Sequence, residues 1–98
     1  MGAAERGESM FYKVKEVQPL PDYNLLVSFT LGECKRYNVA PLFENWDMFK
    51  TLSNVKGLFE QVKVDAGGYG ISWNDDIDLS CNELWENGTP IDQESLHL

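Results

Sequence analysis

The sequence predicts an α+β domain: about five short strands, set as an antiparallel meander plus a hairpin, with two short helices packed on one face of the sheet. Three observations carry this expectation. Residues 11–39 alternate apolar and polar types with period two, cut by Pro-Asp and Gly turns. Trp46, Phe49 and Leu52 then repeat at a spacing of three, the interval of one helical face. Further on, Ser80 and Glu83 stand in the pattern of a reciprocal capping box, hydroxyl and carboxylate each satisfying a free backbone N–H.

Residues 11–18 (FYKVKEVQ) are rich in β-branched and aromatic types and form the first expected strand. Pro19, Pro21 and Asp22 supply turn chemistry: fixed φ angles and a carboxylate able to bond its own backbone. The second strand, 24–31, sets Leu25, Val27, Phe29 and Leu31 on one face against Leu26, Ser28 and Thr30. Gly32 marks the reversal, and 34–39 returns as the third strand. Ala40-Pro41 breaks it. Asn45 is the expected cap of a helix about two turns long, interrupted by Ser53-Asn54 and Gly57. Residues 61–65 and 69–73 are the fourth and fifth strands, joined at Ala66-Gly67-Gly68. The last helix runs from the Ser80 cap to Gly88 at its C′ position. The expected core is Val17, Leu25, Val27, Phe29, Tyr37, Phe49, Leu52, Phe59, Val62, Val64, Ile71, Trp73, Leu79, Leu84 and Trp85. Residues 1–9 are expected as a disordered extension, 10–88 as the single domain and 89–98 as a loose tail.

Charge is distributed unevenly. Sixteen acids against eight bases give a net charge of −8, yet residues 1–63 hold eight of each and sum to zero. Residues 64–98 carry Asp65, Asp75, Asp76, Asp78, Glu83, Glu86, Asp92 and Glu94 with no Lys or Arg. That third repels a nucleic-acid backbone and an anionic membrane alike. No run of 18 apolar residues exists to span a bilayer, and the first nine residues lack the apolar centre of a secretory signal. Two cysteines fall far short of a secreted disulfide framework, so the expected compartment is reducing cytoplasm.

An ordered set of positions adds a resemblance. Leu25-x-Val27-x-Phe29-x-x-Gly32, then Phe49-x-x-Leu52, Phe59-x-x-Val62-x-Val64-Asp65, Ile71-x-Trp73, and Asp78-Leu79-Ser80 with Leu84 follow one another along the chain. Over residues 11–88 this pattern resembles the short bacterial proteins of domain-of-unknown-function family 2442. The chain departs from it at Asn74 and Cys81, where members often carry Pro, and by a longer stretch between Leu52 and Phe59. The resemblance implies a small α+β module with no established activity and no catalytic residues to transfer. The resemblance also implies that some relatives join a helix-turn-helix unit and that stand-alone versions are often encoded beside another small uncharacterised protein, an arrangement similar to toxin–antitoxin or small regulatory pairs. Nothing after Gly88 is long or basic enough for a helix-turn-helix, so DNA binding does not carry over.

Candidate chemistry is sparse. Asp75, Asp76 and Asp78 have the density of a divalent-cation site, and a metal-binding protein or metal-dependent enzyme is one alternative function. An EF-hand loop starting at Asp76 fails, with Cys81 where Gly is needed and Asn87 where Glu is needed. Glycines 67, 68 and 70 lack the Lys and helix of a phosphate loop. Cys34 has no histidine partner except His97 in the expected tail, and one His with two distant Cys makes no zinc set. Lys13, Lys15, Lys35 and Arg36 flank the second strand as a small basic patch, the basis of a further alternative, a nucleic-acid-linked regulator. Trp46 and Trp85 are expected as core anchors.

The function expected from these features is non-enzymatic: an interaction or regulatory module, without cofactor or resident metal, that binds another protein. Its candidate partner face is Asp75, Asp76, Asp78, Glu83 and Glu86, suited to a basic protein encoded nearby. The chain itself is expected as a monomer or homodimer.

Overall fold

A computed structural model describes residues 12–91. Its first sheet grows from the alternating segments. β1 (Val14–Leu20), β2 (Asn24–Phe29) and β3 (Cys34–Asn38) form the expected antiparallel meander. β2 buries Leu25, Val27 and Phe29 and turns Leu26 and Ser28 to the other, more open face. A two-residue strand, which becomes β7 (Thr89–Pro90), pairs with β3 and sets the order β1-β2-β3-β7. The second antiparallel sheet holds β4 (Lys63–Val64), β5 (Gly70–Asn74) and β6 (Ile77–Ser80), in that order. Helices α1 (Leu42–Asn45) and α2 (Asp47–Asn54) lie between the sheets in sequence, and α3 (Cys81–Asn87) packs on β3, β5 and β6. The α+β class therefore holds, with seven strands in two sheets and three α-helices among the described residues, where five strands and two helices were expected.

The differences have local causes. Pro19 lies inside β1, tolerated because β1 is the sheet edge, where a missing N–H costs no ladder bond. The turn that follows runs through Asp22 and Tyr23 at φ of 64° and 62°, a left-handed pair that brings the Asn24 N–H onto the Pro21 carbonyl. Tyr23 is held in this uncommon region by edge-to-face packing on Phe43 and Phe59, each with ring centroids at 5.2 Å. Leu31 falls beyond the end of β2 and is 69% exposed, not part of the buried row.

The helix expected from Asn45 is broken in two. Asn45 ends α1, and Trp46 leaves the helical region (φ −135°, ψ 118°) to stand at the N-cap of α2. Phe49 and Leu52 keep their place in the core, but the break rotates Trp46 outward to 54% exposure. The expected fourth strand shrinks to Lys63–Val64, while β6 and β7 form where turns and a loose tail were expected. Asn74 explains the tight entry into β6: its Oδ1 accepts from the Asp76 and Ile77 N–H groups. Val14, Val39, Ile77 and Cys81 join the core, and Val17, Val62, Val64, Leu79 and Trp85 are only half-buried around it. The expected extension over residues 1–9, and His97 in the expected tail, lie outside the described residues.

The turn between β4 and β5 meets β1 backbone to backbone at Gly68, where a Cβ would stand 2.7 Å from the Val14 carbonyl oxygen. Gly88 plays a similar part. It ends α3 at φ −79°, not in the left-handed conformation expected of a C′ glycine. A Cβ there would meet the Leu84 carbonyl oxygen at 2.6 Å and the Lys35 Cβ at 3.0 Å. Of the expected capping box one half forms: Ser80 Oγ accepts from the Glu83 N–H at 3.1 Å, while the Glu83 carboxylate points to Tyr37.

Gly88→Ala adds a methyl group against fixed backbone although its φ suits alanine. It is expected to lower stability by about 1–3 kcal/mol in urea unfolding. Ser80→Ala removes the remaining cap and is expected to cost about 0.5–2 kcal/mol in the same measurement.

Candidate functional site

The break at Trp46 and the turn into α3 face each other across a groove of about 340 Å³. Leu42, Phe49 and Leu79 provide its apolar lining, with Trp46 on one side and Asp78, Ser80 and Glu83 on the other. The position of each group follows from its element. The exit from α1 swings Trp46 outward. Register on β6 pairs Ile71 with Leu79 and Ser72 with Asp78, so Asp78 and Leu79 alternate in direction. The Ser80 cap starts α3 and sets Glu83 in its first turn, where a carboxylate complements the helix dipole.

Glu83 is also fixed from the core. The Tyr37 hydroxyl, on a ring buried within β3, donates to Glu83 Oε2 at 2.7 Å. Burial first, then the hydrogen bond and charge of Glu83, hold the Tyr37 hydroxyl well above its ordinary pKa. Among the described residues the one ion pair joins Lys50 and Asp47, at 3.8 Å between exposed side chains. Among the described residues, neither carboxylate on the groove rim has an ion-pair partner.

Of the five acidic residues named from sequence, the structure brings Asp78 and Glu83 together on this groove. Asp75 and Asp76 sit in the turn between β5 and β6, and Glu86 is exposed farther along α3. No three His, Cys, Asp or Glu side chains among the described residues are grouped to hold a metal ion. The four bases do not share one face either. Lys35 opposes Val27 on the core side of β3, and Arg36 opposes Leu26 on the other. Lys35 Nζ lies 3.9 Å from the Trp85 ring centroid and donates to the Trp85 carbonyl oxygen at the end of α3. Lys13 lies over the Tyr69 ring at 5.1 Å. Lys15 and Lys63 instead flank a second, more polar groove with Glu16, Gln18 and Ser28.

Sequence reasoning placed Trp46 in the core and missed the groove. Its signal was the Asn45-Trp46-Asp47 junction, where polar residues on both sides of a tryptophan mark a helix start better than a helix face. The Tyr37–Glu83 contact spans 46 residues and has no local signal at all.

No helix among the described residues is long and apolar enough to cross a membrane. A family model described as "Protein of unknown function (DUF2442)" matches residues 14–90, and the chain belongs to that family. No curated protein and no solved structure matches it.

The raised Tyr37 pKa makes a signed prediction. The folded state keeps a proton that the unfolded chain releases near pH 10, so this stabilisation is whole below about pH 10 and is lost as pH rises through the higher folded value. Tyr37→Phe is expected to lose about 1–2 kcal/mol at neutral pH. Urea midpoints taken across that alkaline range should show the gap between the two proteins narrowing.

Proposed function

We propose that this member of the DUF2442 family is a non-enzymatic interaction module that binds another protein in the groove beside Trp46. One observation carries the reading: an apolar lining edged by two carboxylates that no cation engages among the described residues. Covering the apolar lining removes surface from water and supplies affinity. The acidic rim speeds the approach of a basic partner and makes binding sensitive to salt. The scattered bases weigh against a nucleic-acid surface.

The partner proposed is a basic protein encoded nearby, the two forming a small regulatory or toxin–antitoxin-like pair. The proposed setting is the bacterial cytoplasm, with which the free thiols of Cys34 and Cys81 agree.

Affinity purification from the host at low and physiological salt tests the proposal. The chain is expected to recover a basic protein, and the Asp78→Asn/Glu83→Gln double variant to recover about tenfold less of it. Recovery of no protein at either salt, or equal recovery by the double variant, overturns it.

A further inference from the structure

We infer that the groove reads an arginine side chain of the partner, set next to an aliphatic residue; this rests on the docking reading above and gives it a chemical specificity. Three features of the groove converge on that group. Trp46 offers an indole at 54% exposure, an unusual outlay for the largest apolar side chain and the best of the aromatic faces for a cation. Asp78 and Glu83 border the same space and have no cationic partner among the described residues. Leu42, Phe49 and Leu79 supply the apolar lining that a methylene stem and a neighbouring aliphatic side chain cover.

A guanidinium suits this combination better than an ammonium. It is planar, so it stacks on an indole while its N–H groups still reach a carboxylate in the plane. It is also more weakly hydrated than an ammonium, so its transfer to a half-apolar groove costs less. A phosphate or acidic peptide would meet two carboxylates of its own sign and is rejected. The charge of the groove complements the basic partner already proposed, and the apolar lining distinguishes this place from Asp75, Asp76 and Glu86, which offer charge alone.

Tyr37 is a positioning residue in this scheme. Its hydroxyl occupies Glu83 Oε2 from the core side and so holds the carboxylate in one orientation. A pre-set acceptor loses less rotamer freedom on binding than a free one, which sharpens discrimination between a charged ligand and a neutral one.

Two tripeptide probes separate the possibilities: acetyl-Leu-Arg-Leu-amide and its citrulline counterpart, equal in shape but uncharged. Each is titrated into the whole chain at low salt while indole and backbone amide resonances are followed. The arginine peptide is expected to shift the Trp46 indole and residues 78–83, with affinity about fivefold above the citrulline peptide. Trp46→Leu keeps an apolar wall but removes the π face, and is expected to lower that preference. Tyr37→Phe is expected to reduce the ratio of the two affinities while leaving the citrulline affinity unchanged, an effect that loss of stability alone does not produce. Urea midpoints confirm that each variant is folded.

Equal shifts from both peptides overturn the arginine assignment and leave the docking reading standing. Shifts confined to 75–76 and 86 overturn it as diffuse charge attraction. Saturable binding by neither peptide, combined with equal partner recovery by the double rim variant, overturns both.

Discussion

Much of this structure hangs on the way β3 grips α3. The helix has seven residues, too few to persist in water without tertiary support. Lys35 and Tyr37 stand two apart on β3, on the side where Tyr37 is buried, and each takes one end of it. Tyr37 donates to Glu83 in the first turn, and Lys35 donates to the Trp85 carbonyl near the last. The signs suit the helix dipole, with a carboxylate at the positive end and an ammonium at the negative end. Close approach makes the grip possible, because Gly88 has no Cβ to press on that of Lys35.

The same grip explains why the capping box is only half made. Glu83 has one carboxylate and two candidate partners, its own helix start and the Tyr37 hydroxyl. A phenol brought into the core must find an acceptor or lose the hydrogen bond it had with water, a loss of about 1–3 kcal/mol. An N–H at an exposed helix start can turn to solvent instead. The buried group therefore wins, and Glu83 is held at the edge of the groove and not folded back along α3. Trp85, half-buried, is sandwiched in turn. Tyr12 stacks on it at 3.8 Å and 5°, Phe29 meets it edge-on, and Lys35 lies over its ring.

The sequence was most legible where one periodicity acted alone. Leu25, Val27 and Phe29 alternate on a central strand, and the structure buries all three. Ser80 capped its helix as its position required, since that bond spans only three residues. Legibility failed where distant parts decide. Trp46, Phe49 and Leu52 satisfy a helical spacing, but the spacing does not say that the chain leaves the helix at Trp46. β6 and β7 are short, and each is a strand because a neighbour supplies the ladder: β5 for one, β3 for the other. Half of the candidate site was visible as acidic residues, Asp78 and Glu83 among them. Its apolar half was hidden, because Leu42, Trp46 and Leu79 come together only once the two sheets have packed.

The distribution of charge changes meaning on the folded molecule. Lys35 is drawn to Trp85 and the end of α3, Lys13 to Tyr69, and Arg36 to the opposite face of the sheet. Bases that look clustered along the chain are thus dispersed on the folded molecule, Lys35 and Lys13 each over a different aromatic ring. Acids do the reverse. Asp78 and Glu83 converge on one groove from a strand and a helix, one of them fixed by a buried tyrosine. The orientation of Glu83 is therefore chosen during folding by the Tyr37 hydroxyl, and the side chains of Leu42, Phe49 and Leu79 line the space beside it.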